Sequence, residues 1–145
     1  MSNNIKVPWH LWLIALLFIF IYANGVYDYF MMLGHDIDYY ESKGFTEETH
    51  KYFKNYPIIL LVFWTINILC GIISPILLLF RIKLVVWIAF LSAIAMFLLE
   101  VIGFLFFNRW EALGTFVSLF DIGLLILTWL FYFYCKYLRE KGVLK

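Results

Sequence analysis

The chain has 145 residues, of which 65% are hydrophobic and only 14% are charged, a balance far outside that of soluble globular domains. Its formal net charge of +1 leaves no basic surface of the kind that binds nucleic acid. The two cysteines, Cys70 and Cys135, lie far apart in apolar stretches, which argues against a thiol–disulfide oxidoreductase.

Four apolar stretches are each long enough to form a membrane-spanning helix, which needs about 20 residues. They cover residues 8–33, 57–80, 84–107 and 113–135. The expected fold class is therefore all-α, a single domain over residues 1–145 that forms an integral membrane bundle of four transmembrane helices. In the loop between the first two stretches, Thr46 is a plausible N-cap, and residues 47–55 predict a short helix at the membrane interface.

The distribution of basic residues predicts the orientation, because loops on the cytoplasmic side carry an excess of Lys and Arg. Basic residues precede the first stretch, lie in the turn between the second and third, and follow the fourth: Lys6, Arg81, Lys83, Lys136, Arg139, Lys141 and Lys145. The loop over residues 34–56 mixes acidic and basic residues. We therefore expect both termini in the cytoplasm and this loop on the outer side of a multi-pass protein.

Three carboxylates lie inside the apolar stretches, namely Asp28, Glu100 and Asp121, and no Lys or Arg lies within those stretches to neutralise them. An ionised carboxylate at bilayer depth costs at least about 2.5–3.5 kcal/mol on insertion scales. Each acid therefore needs a proton, a cation, water or a hydrogen-bonded partner. Arg109, in the short turn before the fourth stretch, is a candidate partner for Glu100 or Asp121.

Helical spacing aligns these acids with other polar and small side chains. Three stripes result: Trp64, Asn67, Gly71 and Ser74; Ser92, Met96, Glu100 and Gly103; and Ser118, Asp121, Leu125 and Thr128. In the first stretch, Asn24 lies one turn before Asp28. We expect a pocket in the outer half of the bundle whose candidate binding residues are Asn24, Asp28, Asn67, Glu100 and Asp121. The amide and hydroxyl side chains are equally explained as hydrogen bonds between helices.

Several ligands would suit such a pocket, because carboxylates that share one site cannot all stay ionised without a cation. The alternatives are a proton, an inorganic or organic cation, and a polyol such as a sugar stacked on Trp64 or a nearby tyrosine. No cofactor or metal is expected. No two histidines share a membrane helix face as a paired haem would require, and the loop histidines His35 and His50 lack a recognised zinc spacing.

Several motifs resemble those of a family of small, uncharacterised four-helix proteins of the bacterial inner membrane. They are Pro8-Trp9-His10-Leu11-Trp12, Asn24-Gly25-x-Tyr27-Asp28-Tyr29, Phe45-Thr46, Tyr52-Phe53, Tyr56-Pro57, Trp64, Gly71, Leu78-Leu79-Phe80-Arg81 and the basic tail over residues 138–145. The resemblance covers nearly the whole chain. It implies the same topology in the bacterial inner (cytoplasmic) membrane and points to Asn24 and Asp28. Some members of that family carry the label sugar transporter.

The leading hypothesis is a small membrane protein whose outward-facing acidic pocket binds or transports a small solute or cation. Four helices rarely enclose a whole transport path, so we expect a homo-oligomer or a partner membrane subunit. The alternative is a non-transporting accessory or assembly subunit of a larger membrane complex. An enzyme is not expected, because no nucleophile–base pair or catalytic metal motif is present.

Overall fold

The computed structural model describes residues 6–34 and 36–145, and these fold into six helices with no strand among them. In chain order the helices are α1 (Trp9–Leu33), α2 (Ile37–Ser42), α3 (Glu47–Lys54), α4 (Ile58–Leu79), α5 (Val85–Phe106) and α6 (Arg109–Glu140). The loop histidine His35 lies outside the described residues.

The all-helical architecture and the four long apolar helices agree with the prediction. By length and composition, α1, α4, α5 and α6 are each able to cross a membrane. The bounds of α1, α4 and α5 lie within one residue of the predicted stretches. Helix α6 is longer than the predicted stretch of 113–135. Its last residues, which include Lys136 and Arg139, continue the helix beyond the apolar run on which the prediction rested.

Two short helices cover one end of the bundle, which we call the capped end. The predicted loop helix forms as α3, and its N-cap Thr46 accepts a hydrogen bond from the backbone N–H of Thr49 at 3.4 Å. Helix α2 was not predicted. It has six residues, and the carboxylate of Asp36 caps it by accepting from the N–H of Tyr39 at 2.8 Å. The Thr49 hydroxyl in turn donates to the Ala112 carbonyl, which ties α3 to α6.

The four long helices form an up-and-down bundle in which α1 packs on α4, α4 on α5, and α5 on α6. Helices α1 and α6 meet mainly through side chains. The rings of Phe18 and Phe131 are 4.6 Å apart, and His10 hydrogen-bonds to Tyr134. We call this half of the bundle, next to both chain termini, the terminal half. It holds the larger apolar core, which includes Leu11, Ala15, Leu78, Val86, Cys135 and Leu138.

The outer faces of the long helices expose large apolar side chains, such as Leu16, Phe20, Leu69, Trp87, Leu105 and Leu130. Apolar surface of this extent is covered by lipid or by other protein in a functional molecule. The polar stripes point the other way. Asn67, Gly71 and Ser74 on α4 are buried, and so are Ser92, Met96, Glu100 and Gly103 on α5. The predicted inward orientation of these two stripes is confirmed.

Close approach of α1 and α4 depends on Gly71. A Cβ added there would lie 2.0 Å from Cε1 of Tyr22, whose ring occupies the space that a side chain would need. The Tyr22 hydroxyl is thereby held 2.7 Å from the hydroxyl of Thr128 on α6. The absence of a side chain at one position of α4 thus determines where a tyrosine of α1 meets α6.

Substitution of Gly71 by Ala should destabilise the bundle, because the methyl group would displace the Tyr22 ring and its hydrogen bond. We expect a net loss of about 1–3 kcal/mol, the usual cost of overpacking. Chemical unfolding of the detergent-solubilised protein measures this. Gly123→Ala in α6 is the matched control, since nothing lies within 4 Å of its added Cβ, and it should be neutral or stabilising. Equal stability of the two variants would contradict the expectation.

Candidate functional site

We call α2, α3 and the loop around them the cap, and the half of the bundle beneath them the capped half. Between the four long helices, the capped half contains a cavity of about 420 Å³. The cap contributes Tyr39, Phe45 and Phe53 to the lining of this cavity. Most of the remaining wall is apolar and includes Ile21, Met32, Trp64, Leu99, Val117 and Leu124. Four of the five residues predicted from the sequence line this one cavity: Asp28, Asn67, Glu100 and Asp121.

Asn24 lies elsewhere. Its side chain is exposed, and its amide nitrogen donates to the carbonyl of Phe20 one turn earlier in α1, at 2.9 Å. Asp28 lines the cavity one turn further along the same helix. The structure therefore does not bring Asn24 together with the other four candidate residues.

Glu100 is the most buried of the three acids. The residue is only 3% exposed, and both oxygens of its carboxyl group are buried with no hydrogen-bond partner. Burying a carboxylate without a partner or a hydrogen bond is costly. A group left in this state needs a proton or a partner. Because Glu100 lines the cavity, a turn of its side chain would let a ligand with a positive charge or hydrogen-bond donors supply that partner.

Asp121 has the partner that Glu100 lacks. A terminal guanidinium nitrogen of Arg109 donates to one of its carboxylate oxygens at 2.7 Å, and the two side chains are 10% and 16% exposed. The predicted apolar stretches contain no Lys or Arg, but Asp121 still has a cationic partner, because Arg109 reaches it from the start of α6. The Nε of Arg109 is buried without a partner.

The local backbone delivers Arg109 into the bundle. Gly114 interrupts α6 with φ 84° and ψ 169°, a conformation open to glycine, so a short turn that carries Arg109 precedes the main run of the helix. Gly103 on α5 leaves room for the arginine side chain, since a Cβ there would lie 3.0 Å from its Cδ. Two glycines on neighbouring helices thus make the ion pair with Asp121 sterically possible.

Asp28 is held by the cap. The Tyr39 hydroxyl of α2 donates to its carboxylate. Burial, and next the hydrogen bond to Asp28, raise the pKa of the Tyr39 phenol well above its ordinary value, so the phenol remains protonated and remains a donor. Lys43 lies 5.6 Å from the centre of the Tyr39 ring and also lines the cavity. Helix α2 and the residue after it therefore supply a hydrogen bond to Asp28 and a positive charge at the cavity wall.

Asn67 closes the cavity toward the terminal half. Its side-chain oxygen accepts from the Ser92 hydroxyl at 2.9 Å and from the Tyr22 hydroxyl at 3.5 Å, while Tyr22 also contacts Thr128. This set of four residues, the polar floor, takes one side chain from each long helix. The hydroxyl groups and the amide oxygen of the floor are thus bonded to one another, which holds the four helices together at this level.

The sequence predicted Arg109 as a partner for Glu100 or Asp121, and the structure pairs it with Asp121. The sequence did not reveal the bond of Tyr39 to Asp28, the place of Tyr22 in the polar floor, or the backbone kink that brings Arg109 to Asp121. Tyr39 lies in an unpredicted helix, and Arg109 depends on a kink that no apolar pattern marks. Within the described residues, no group of three or more His, Cys, Asp or Glu side chains is arranged to hold a metal ion.

Comparison of the chain with protein-family models, with curated protein sequences and with solved structures found no match.

Removing one partner of the Arg109–Asp121 pair should destabilise the bundle strongly, because the other charge stays buried. We expect Arg109→Met to cost about 3–5 kcal/mol and the double variant Arg109→Met, Asp121→Leu to regain most of that loss. A double-mutant cycle by chemical unfolding in detergent gives the coupling energy. If the double variant is as unstable as the single one, the two charges do not act as a unit.

Proposed function

We propose that this chain is an integral membrane protein that binds a small cationic solute from the outer side, with Glu100 as its anionic anchor. The observation that carries the proposal is the Glu100 carboxyl group, which is buried at the cavity wall with neither oxygen hydrogen-bonded. Asp28 and Asp121 already have partners in Tyr39 and Arg109. Glu100 is the acid without a partner, and a cationic ligand would pair with its carboxylate.

Membrane insertion is supported by the four long apolar helices and by the apolar side chains on their outer faces. The orientation follows from charge. The terminal half carries the basic residues of the tail and of the α4–α5 turn, whereas the cap mixes acids with Lys43, Lys51 and Lys54. By the positive-inside rule we therefore propose that both termini lie in the cytoplasm and that the capped end, with the cavity beneath it, lies toward the outer side. In a bacterium this membrane is the inner one.

The charge of the cavity favours a cation. The ionisable lining residues other than Tyr22 and Tyr39 are Asp28, Glu100, Asp121, Arg109 and Lys43, so three carboxylates are set against two cationic side chains, a formal charge of −1 when all are ionised. In a medium of low polarity such an imbalance is far more costly than in water. One bound monovalent cation removes it.

Binding is better supported than passage through the membrane in this conformation. The polar floor closes the cavity at mid-bundle, and the apolar core of the terminal half lies beyond it. Transport would require these layers to separate, either within the chain or through rearrangement in an oligomer. We propose solute binding as the basic activity and transport as an activity that oligomerisation could add.

The orientation can be tested by labelling with a membrane-impermeant maleimide in intact bacterial cells. Ser42→Cys in α2 should be labelled directly, and Lys141→Cys after α6 only when the cells are permeabilised, because the two exposed positions lie at opposite ends of the bundle. The wild-type chain is the control, since Cys70 and Cys135 lie within α4 and α6. The reverse labelling pattern would place the cavity on the cytoplasmic side.

The role of Glu100 can be tested by thermal unfolding of the detergent-purified protein in chloride salts of Na⁺, K⁺ and small organic ammonium ions. At least one cation should raise the melting temperature of the wild type, since a ligand at 100 times its Kd stabilises the folded state by about 2.7 kcal/mol. Glu100→Gln should abolish that rise. Glu111→Gln, which removes an exposed carboxylate at the start of α6, should retain it.

Two results would contradict the proposal. One is a wild-type protein whose melting temperature responds to none of the cations. The other is a Glu100→Gln variant whose melting temperature rises with the cation as much as that of the wild type, so that any loss of stability is the same at every cation concentration. That second result would make Glu100 a structural partner of the Arg109 Nε.

A further inference from the structure

We infer that the solute is a monovalent organic amine whose ammonium group pairs with Glu100 and whose apolar body lies against the aromatic side chains of α6. This inference rests on the proposed function and narrows it to one chemical class. Three properties of the cavity lead to it: its charge, the state of its polar groups, and the way it reaches the side of the bundle.

The charge and the ligand atoms available favour one positive charge. The formal imbalance of −1 matches a monovalent cation. A divalent ion such as Ca²⁺ takes six to eight oxygen ligands, yet one carboxylate oxygen of Asp28 is already bonded to Tyr39 and one of Asp121 to Arg109. The described residues also contain no cluster suited to a metal.

The polar groups of the wall suit a cation better than a polyol. A sugar needs many hydrogen-bond partners, but the side-chain oxygen of Asn67 already accepts from Ser92 and Tyr22. Tyr39 and Arg109 each bond to one carboxylate oxygen, of Asp28 and of Asp121, and neither oxygen of Glu100 has a partner. The acceptors left on the wall are therefore mainly carboxylate oxygens, which favour a charged ammonium donor over the hydroxyl groups of a neutral sugar.

The size and chemistry of the cavity fit a ligand with an apolar body. Its volume of about 420 Å³ lies in the range of about 300–1,000 Å³ that is usual for organic ligands, and is far larger than a dehydrated Na⁺ or K⁺. Trp64 provides a rigid apolar wall, because its ring contacts Tyr29 at 4.9 Å and Tyr56 at 5.7 Å between centroids. A bare ion would leave most of this apolar space unfilled.

The cavity also reaches the side of the bundle. Phe116 and Phe120 of α6 line it although they are 82% and 57% exposed. Helices α1 and α6 make little backbone contact, and their side-chain bridges at Phe18–Phe131 and His10–Tyr134 belong to the terminal half. In the capped half, therefore, an apolar body can lie in the gap while its ammonium group reaches inward to Glu100.

The test compares phenethylammonium with neutral 2-phenylethanol, Na⁺, K⁺ and sucrose, using calorimetric titration and thermal unfolding of the protein in lipid nanodiscs. We expect phenethylammonium to bind at least tenfold more tightly than the alcohol or the inorganic ions, and Glu100→Gln to lose this binding. Phe120→Ala should weaken amine binding about fivefold and leave the fold intact. Phe133→Ala, at a 54% exposed position of α6 outside the cavity lining, should leave it unchanged.

The outcomes separate the inference from the function on which it rests. Glu100-dependent binding of Na⁺ or K⁺ that equals or exceeds amine binding would uphold the proposed function and overturn the organic amine. Equal binding of amine and alcohol would show that the carboxylate is not the anchor and overturn the inference, as would tighter binding of sucrose. If no cation binds in a Glu100-dependent way, both fall.

Discussion

A polar side chain enclosed by apolar helices must find its partner within the protein, because lipid and packed side chains offer none. Most of the polar side chains inside this bundle have such a partner. Tyr22, Asn67, Ser92 and Thr128 satisfy one another across the four long helices, Arg109 compensates Asp121, and Tyr39 bonds to Asp28. Among the acids that line the cavity, Glu100 departs from the pattern, because neither of its carboxyl oxygens is hydrogen-bonded. Within the described residues, the Tyr52 and Ser118 hydroxyls and the Arg109 Nε are the other buried side-chain groups without a partner. The proposed function rests on the carboxyl group, since a cationic ligand would supply the partner that the protein does not.

The two halves of the bundle differ in packing: the terminal half is filled by an apolar core, and the capped half contains the cavity. In the terminal half, α1 and α6 are brought together by Phe18 and Phe131, and the missing side chain of Gly71 lets Tyr22 lie flat against α4. In the capped half, α3 lies between α1 and α6 and contacts both. Phe53 of α3 and Leu113 of α6 belong to the small apolar cluster of the cap. The cavity exists because the cap covers the end of the bundle without filling the space between the helices. The polar floor marks the boundary between the packed half and the open one.

Much of this arrangement is readable from the sequence, and the rest is not for identifiable reasons. Long apolar runs predict the four helices, and helical spacing predicts that Asn67 and Glu100 face inward, as they do. The prediction from helical spacing that Asn24 lines the cavity is wrong. Four residues turn a helix by about 400°, so the side chain of Asn24 is offset by about 40° from that of Asp28. Asp28 lies at the edge of the cavity, and this offset places Asn24 on the exposed face of α1. The path of Arg109 depends on a glycine kink and on space beside a second helix, and Tyr39 depends on a six-residue helix fixed by its cap. These are tertiary and local backbone effects that hydrophobic periodicity does not encode.

The position of the polar floor constrains any account of movement through the membrane. A solute that leaves the cavity toward the terminal half must pass the Tyr22–Thr128 and Asn67–Ser92 bonds, which link all four long helices. Each bond contributes only about 1 kcal/mol net, but a buried donor or acceptor left unsatisfied costs about 1–3 kcal/mol. The bonds therefore cannot open singly without penalty, and separation of the helices must be concerted or must be accompanied by new partners. A ligand bearing an ammonium group carries such donors with it. A purely apolar solute does not, so the floor would discriminate between the two even where the cavity walls do not.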